Sequence, residues 1–94
     1  MRLTTEEKTL IVRSICSVDS NAEVFLYGSR VDDNERGGDI DILCFSTQID
    51  KPMIRAIKRR IIDQLGEQKI DLLVEKDREK PFTRLIMQKA IPLT

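Results

Sequence analysis

Three polar clusters stand where apolar runs end or begin, and their placement constrains the fold more than any other feature of this chain. Val24-Phe25-Leu26-Tyr27 is closed by Gly28-Ser29-Arg30, while Gly38-Asp39-Ile40-Asp41-Ile42-Leu43 and Lys69-Ile70-Asp71-Leu72-Leu73 open with carboxylates. Short runs of β-branched and aromatic residues bounded by glycine and charge read as strands. Side chains alternate along a strand, so Asp39 and Asp41 emerge on one face and Ile40 and Ile42 on the other. Two carboxylates on one face repel each other unless a cation lies between them. A hard divalent ion such as Mg²⁺ suits carboxylate oxygens and keeps room for water and phosphate. For Gly28-Ser29, Asp39, Asp41 and Asp71 to converge, the first strand must run antiparallel to the other two. Those two then run parallel, joined by a crossover helix. The chain therefore reads as an α+β domain, a small mixed three-stranded sheet packed with helices.

The helices carry their own signals. Thr4 with Glu7 forms a capping-box pattern, and Leu10, Ile11, Ile15 and Val18 follow at helical spacing, predicting a first helix over 5–18. Asp50 caps a second helix over 51–65, with Pro52 in its first turn, an apolar stripe of Ile54, Ile57, Ile61 and Leu65, and Gly66 as its stop. Strands are expected over 24–27, 39–45 and 69–75, and a surface loop over 77–80. Pro81 begins a final helix that turns Phe82, Leu85, Ile86 and Ala90 inward and ends before Pro92.

At 94 residues the chain fits one domain, 1–94, whose core of Ile, Leu and Val is thin enough that a partner covering part of the surface is expected. Sixteen basic and sixteen acidic side chains cancel, which counts against a free-standing nucleic-acid binder. Arg55, Lys58, Arg59 and Arg60 crowd one helical face, most simply a solvated surface and otherwise a contact for an acidic partner or RNA. Cys16 and Cys44, without a CxxC or any His, read as buried thiols of a reducing compartment. No apolar leader or membrane-length run is present, so the expected location is the cytoplasm. Ile91 and Leu93, beyond the last expected helical turn, suggest a surface for another protein, with packing onto the first helix the equally simple reading.

Each polar residue has a chemical reason to be where it is. Gly28 lets backbone approach closely, and Ser29 offers a hydroxyl and an amide to a phosphate oxygen. A helical turn after Ser29 would add free N–H groups. Asp39 and Asp41 would hold Mg²⁺ against a triphosphate. Asp71 would complete a second metal position or accept the proton of an attacking hydroxyl. Arg30 and Arg36 match phosphate oxygens. Taken singly, the Gly-Ser is an ordinary turn, the Asp-x-Asp a solvated edge, the arginines surface ion-pair partners and Asp71 an exposed strand residue. Together, in this order and with strand-like flanks, they read as a site.

The segment Gly28-Ser29-Arg30 through Asp39-Ile40-Asp41, with Asp71 in the next strand, resembles the signature of the polymerase-β-like nucleotidyltransferase superfamily. Within it, the chain looks like the minimal nucleotidyltransferases paired with a helical HEPN protein. The resemblance covers nearly the whole chain. It implies transfer of a nucleoside monophosphate from a nucleoside triphosphate, expected to be ATP, with two Mg²⁺ ions and release of pyrophosphate. Gly28 and Ser29 match its phosphate-binding pair, Asp39 and Asp41 its metal ligands and Asp71 its third carboxylate. It implies an antitoxin whose acceptor hydroxyl lies on a HEPN-type toxin. The alternative is a non-catalytic antitoxin that neutralises a helical toxin by covering it. Base preference and oligomeric state stay open.

Overall fold

A computed structural model describes residues 3–32, 39–66 and 69–94. In chain order these form α1 (Thr5–Cys16), β1 (Glu23–Tyr27), a 3₁₀ turn (Gly28–Val31), β2 (Ile40–Phe45), α2 (Lys51–Leu65), β3 (Ile70–Glu75), α3 (Pro81–Met87) and β4 (Ile91–Pro92). The capping signals act as expected. Glu7 N–H donates to Thr4 Oγ1 at 3.1 Å, and Thr4 N–H donates to Glu7 Oε1 at 2.9 Å, a reciprocal box that satisfies two orphan donors. Asp50 Oδ1 accepts from Met53 N–H at 2.9 Å, and Gly66, at φ 86°, ends α2. α1 stops at Cys16, two residues before the expected end.

The sheet order is β3-β2-β1-β4. β1 runs antiparallel to β2, and β2 runs parallel to β3, joined by α2 as the strand directions required. The fourth strand corrects the three-stranded expectation. Ile91 pairs with Leu26 and Pro92 with Phe25, antiparallel to β1. Leu93 N–H donates to the Val24 carbonyl at 2.7 Å, and Val24 N–H donates to Thr94 Oγ1 at 3.2 Å. Leu93 is only 5% exposed and belongs to the main core, not to a surface held for a partner. A two-residue edge strand carries no alternation to read, and its proline is tolerated because an edge needs fewer ladder donors.

The two faces of the sheet have different covers. Val24, Leu26, Ile40, Ile42, Cys44 and Ile70 pack against Ile11 and Ile15 of α1 and Ile57 and Ile61 of α2. On the opposite face, Leu43 and Phe45 pack with Phe25, Tyr27 and Leu73 and with Ile86, Met87 and Ala90 from α3 and its end. This α3 is rotated from the expected phase. Thr83 and Ile86 are buried, whereas Phe82 is 59% and Leu85 63% exposed. The inward stripe runs Thr83, Ile86, Met87, Ala90, a regular helical spacing opened by a hydroxyl, so hydropathy alone placed it one residue out.

Cys44 is buried and Cys16 half-buried, and both are free thiols. Burial, then the charge of Asp19 and the Cys16 thiol, push Cys44 up to about 12. Burial first and Asp19 second raise Cys16. Of the basic α2 group, Arg55, Arg59 and Arg60 are exposed and Lys58 half-buried. Among the described residues no helix is long and apolar enough to cross a membrane.

Candidate active site

The register of three strands lines up the residues that matter. Tyr27 of β1 stands opposite Asp41 of β2, and Asp41 stands beside Asp71 of β3. Directly paired residues share a sheet face, with Cβ atoms about 4.5–5.5 Å apart in antiparallel pairs. The row Tyr27–Asp41–Asp71 therefore crosses the sheet on the face that α3 covers. It occupies one end of that face. The other end is closed by Arg78, whose guanidinium lies 4.0 Å from the Phe45 ring centroid and pairs with Glu23.

Asp39 sits just before β2, on the same face as Asp41 by alternation. Its Oδ2 lies 3.5 Å from Lys69 Nζ. Backbone holds that pair in place, because Ile40 N–H donates to the Lys69 carbonyl at 3.1 Å. Burial, then the charges of Asp71 and Asp39, raise the Asp41 carboxyl above its ordinary value, with Lys69 pulling the other way. Burial, then Asp41 and Asp71, raise the Tyr27 phenol as well. Both shifts have burial as their first cause and the neighbouring carboxylates as their second, and at Asp41 the one lysine pulls the other way without reversing the direction.

Gly28 completes the arrangement. At φ 77° it occupies a region that L side chains avoid. A Cβ there would collide with Oδ2 of Asp41 and stand only 3.2 Å from its Cγ. The glycine is thus required twice, by its own dihedral and by the carboxylate that the opposite strand presses against it. Ser29 and Arg30 follow in the 3₁₀ turn, both half-buried. Among the described residues the helical turn expected after Ser29 takes the form of this short 3₁₀ segment, closed by Asp32 N–H to the Ser29 carbonyl at 3.2 Å. Arg36 and Gly38 lie outside the described residues.

The fold therefore brings Gly28, Ser29, Asp39, Asp41 and Asp71 to one end of the sheet. Sequence reasoning missed Tyr27 and Lys69: alternation gives the face each one shares, but their places beside Asp41 and Asp39 follow only from which strands neighbour each other. Tyr27 shares a face with Phe25, and Lys69 lies two residues before Asp71. Among the described residues no three His, Cys, Asp or Glu side chains form a ready-made metal cage. The donors nonetheless fit a divalent cation that is completed by its ligand's own oxygens. They are hard carboxylates, mutually repelling, with a side-chain-free backbone turn against one of them.

A cleft of about 550 Å³ opens beside this row. Gly28, Ser29 and Val31 wall one side, and Leu85, Gln88 and Lys89 wall the other. Asp39, Asp41 and Asp71 do not line it. Tyr27 does, and so joins the cleft to the carboxylates.

A strand closed by Gly-Ser, followed by an antiparallel strand whose carboxylate faces that glycine, leaves open backbone beside hard oxygen donors, a chemistry that phosphate and a cation could use. A family model described as "Nucleotidyltransferase domain" matches residues 9–93. The chain belongs to this nucleotidyltransferase domain family. Its mixed sheet and helices agree with the polymerase-β-like nucleotidyltransferase fold, with β4 added to the expected strands. Nucleotidyl transfer is thus the general activity of the domain, and nucleoside triphosphate with divalent metal its general chemistry. No curated protein matches the chain at a significant level.

Proposed function

We propose that this nucleotidyltransferase domain moves a nucleoside monophosphate from a Mg²⁺-bound nucleoside triphosphate, ATP by preference, to a hydroxyl on a partner protein. The observation that carries the reading is the Tyr27–Asp41–Asp71 row set against a glycine that tolerates no side chain. Asp39 and Asp41 would hold the metal, and Asp71 on the next strand would complete a second metal position or take up a proton. When bound, the metal neutralises triphosphate charge and makes the α-phosphorus more electrophilic.

The protein's own residues do the rest. The Gly28 turn admits phosphate oxygens close to backbone, and Ser29 donates to one of them. Arg30, and Arg36 in the following loop, would pair with phosphate charge. The acceptor oxygen forms a bond to the α-phosphorus while the bond to the bridging β-oxygen breaks. Pyrophosphate departs with that electron pair, and the hydroxyl proton passes to the Asp71 carboxylate. Asp71 is suited to this because it is half-buried beside Asp41 and free of the Lys69 ion pair that occupies Asp39. Tyr27, Asp41 and Asp71 are half-buried and the Asp39 side chain beside them is 44% exposed, so an acceptor can arrive on another macromolecule.

The partner we propose is a helical toxin of the HEPN type, for which this chain would act as antitoxin in the cytoplasm. The competing reading, neutralisation by contact alone, is favoured by one observation: Phe82 stands 59% exposed on α3. The two readings separate cleanly at Asp71. Asp71→Asn should keep Mg²⁺-ATP affinity within a few-fold of wild type. It should lose transfer by roughly 10²–10⁴-fold, the usual worth of a positioned general base. Intact mass spectrometry of the partner after incubation with ATP reads the added nucleotide, and calorimetry reads the affinity. Loss of both would make Asp71 chiefly a metal ligand. An unmodified partner that is still neutralised by the wild-type chain would favour contact alone.

A further inference from the structure

We propose that the cleft between the 3₁₀ turn and the end of α3 is the subsite for the nucleoside of the triphosphate, with Leu85 and Gln88 as its recognition residues. The inference rests on reading Gly28-Ser29 and the carboxylate row as the metal-triphosphate site, and it adds where the rest of the nucleotide goes.

Continuity is the first argument. Tyr27, Gly28 and Ser29 line the cleft, and the Asp41 carboxylate stands where a side chain on Gly28 would be, so a ligand with its phosphates on the turn has a walled space beside it. The cleft's volume of about 550 Å³ lies within the roughly 300–1,000 Å³ of small-molecule pockets. Its walls are the second argument. Val31, Leu85 and Ile86 supply apolar surface for the faces of a base. Gln88, at the α3 C-terminus, supplies an amide with both donor and acceptor, as the polar edge of a base requires. Lys89, also in the wall, makes no ion pair among the described residues.

Exposure is the third argument. Leu85 is 63% exposed, although three residues of the same short helix stripe turn inward. A large apolar side chain left open at the mouth of a cleft is stabilised when a flat ring covers it. The phase of α3 that hydropathy misjudged is the phase that places Leu85 there. Thr83, not Leu85, fills the buried position.

Mg²⁺-ATP and Mg²⁺-tripolyphosphate titrated by calorimetry into the wild-type chain and into Leu85→Ser with Gln88→Ala test the assignment. Both positions are exposed, so the variant should melt with wild type. Wild type should bind ATP more tightly than tripolyphosphate. The double variant should lose about tenfold or more in ATP affinity, the scale of one apolar contact and one hydrogen bond, with tripolyphosphate unchanged. Equal wild-type affinities for the two ligands would overturn the subsite, as would undiminished ATP binding by the variant. Retained ATP affinity with lost transfer would assign the cleft to the acceptor instead. Failure of wild type to bind either ligand would overturn the triphosphate site itself, and the subsite with it.

Discussion

Asp41→Asn should abolish Mg²⁺-dependent nucleotide binding and at the same time raise the melting temperature of the metal-free domain. These opposite effects have one cause. In the folded chain Asp41 is pressed into the sheet beside Asp71, near Asp39 and against Gly28. Burial and like charge raise its carboxyl above the ordinary aspartate value. Folding therefore disfavours the ionised form. The resulting penalty is fully present above the folded value and vanishes as pH falls below the unfolded one. Removing the charge should thus stabilise the fold near pH 7, with a gain that shrinks towards pH 4. For a domain of this size each kcal/mol relieved appears as about 4–8 °C in Tm. The same substitution removes a hard ligand, so Mg²⁺-dependent affinity should fall by more than about a hundredfold, beyond the loss typical of outer-shell changes. Differential scanning calorimetry at the two pH values, with an ATP titration, checks both halves. A destabilised Asp41→Asn would mean that the carboxylate holds the fold together, not a ligand.

The second large effect is structural. Leu93→Asp should leave the domain unfolded at 25 °C, and Leu93→Ala should cost about 2–5 kcal/mol, the range for truncating a buried leucine. Leu93 joins the main core beside the sheet, and its N–H ties the chain end to Val24 at 2.7 Å. An aspartate there would be a charge with no partner in a small apolar core, set against a total stability of only about 5–15 kcal/mol. Circular dichroism melts of the two variants decide it. A Leu93→Asp chain that melts with wild type would remove β4 from the core.

The contrast between β4 and the rest shows what the sequence makes legible. Strand directions could be derived because Gly28, Asp41 and Asp71 need a common end, a constraint that only one arrangement of three strands satisfies. α1 and α2 announce themselves through Thr4, Glu7, Asp50 and Gly66, side chains or dihedrals with one local task each. β4 has two residues and one is proline, so no period exists to detect. α3 was misphased because its buried stripe begins with Thr83, whose hydroxyl counts as polar in any hydropathy reading, while Phe82 and Leu85 count as apolar and face outward. At the candidate site, the carboxylates were visible as an Asp-x-Asp pattern with a third Asp. Tyr27 and Lys69 were not, because their roles depend on which strands neighbour each other.

The central claim, that Gly28-Ser29 and the Asp39–Asp41 pair hold a metal-bound triphosphate, meets its most direct test in a crystal grown with Mn²⁺ and a non-hydrolysable ATP analogue. Anomalous scattering locates the metal without reference to activity. The account predicts a Mn²⁺ peak at ligand distance, a little over about 2 Å, from carboxylate oxygens of both Asp39 and Asp41. It also predicts the analogue's phosphates against the Gly28-Ser29 turn. A well-ordered analogue bound elsewhere, or Mn²⁺ that avoids both aspartates, would contradict it.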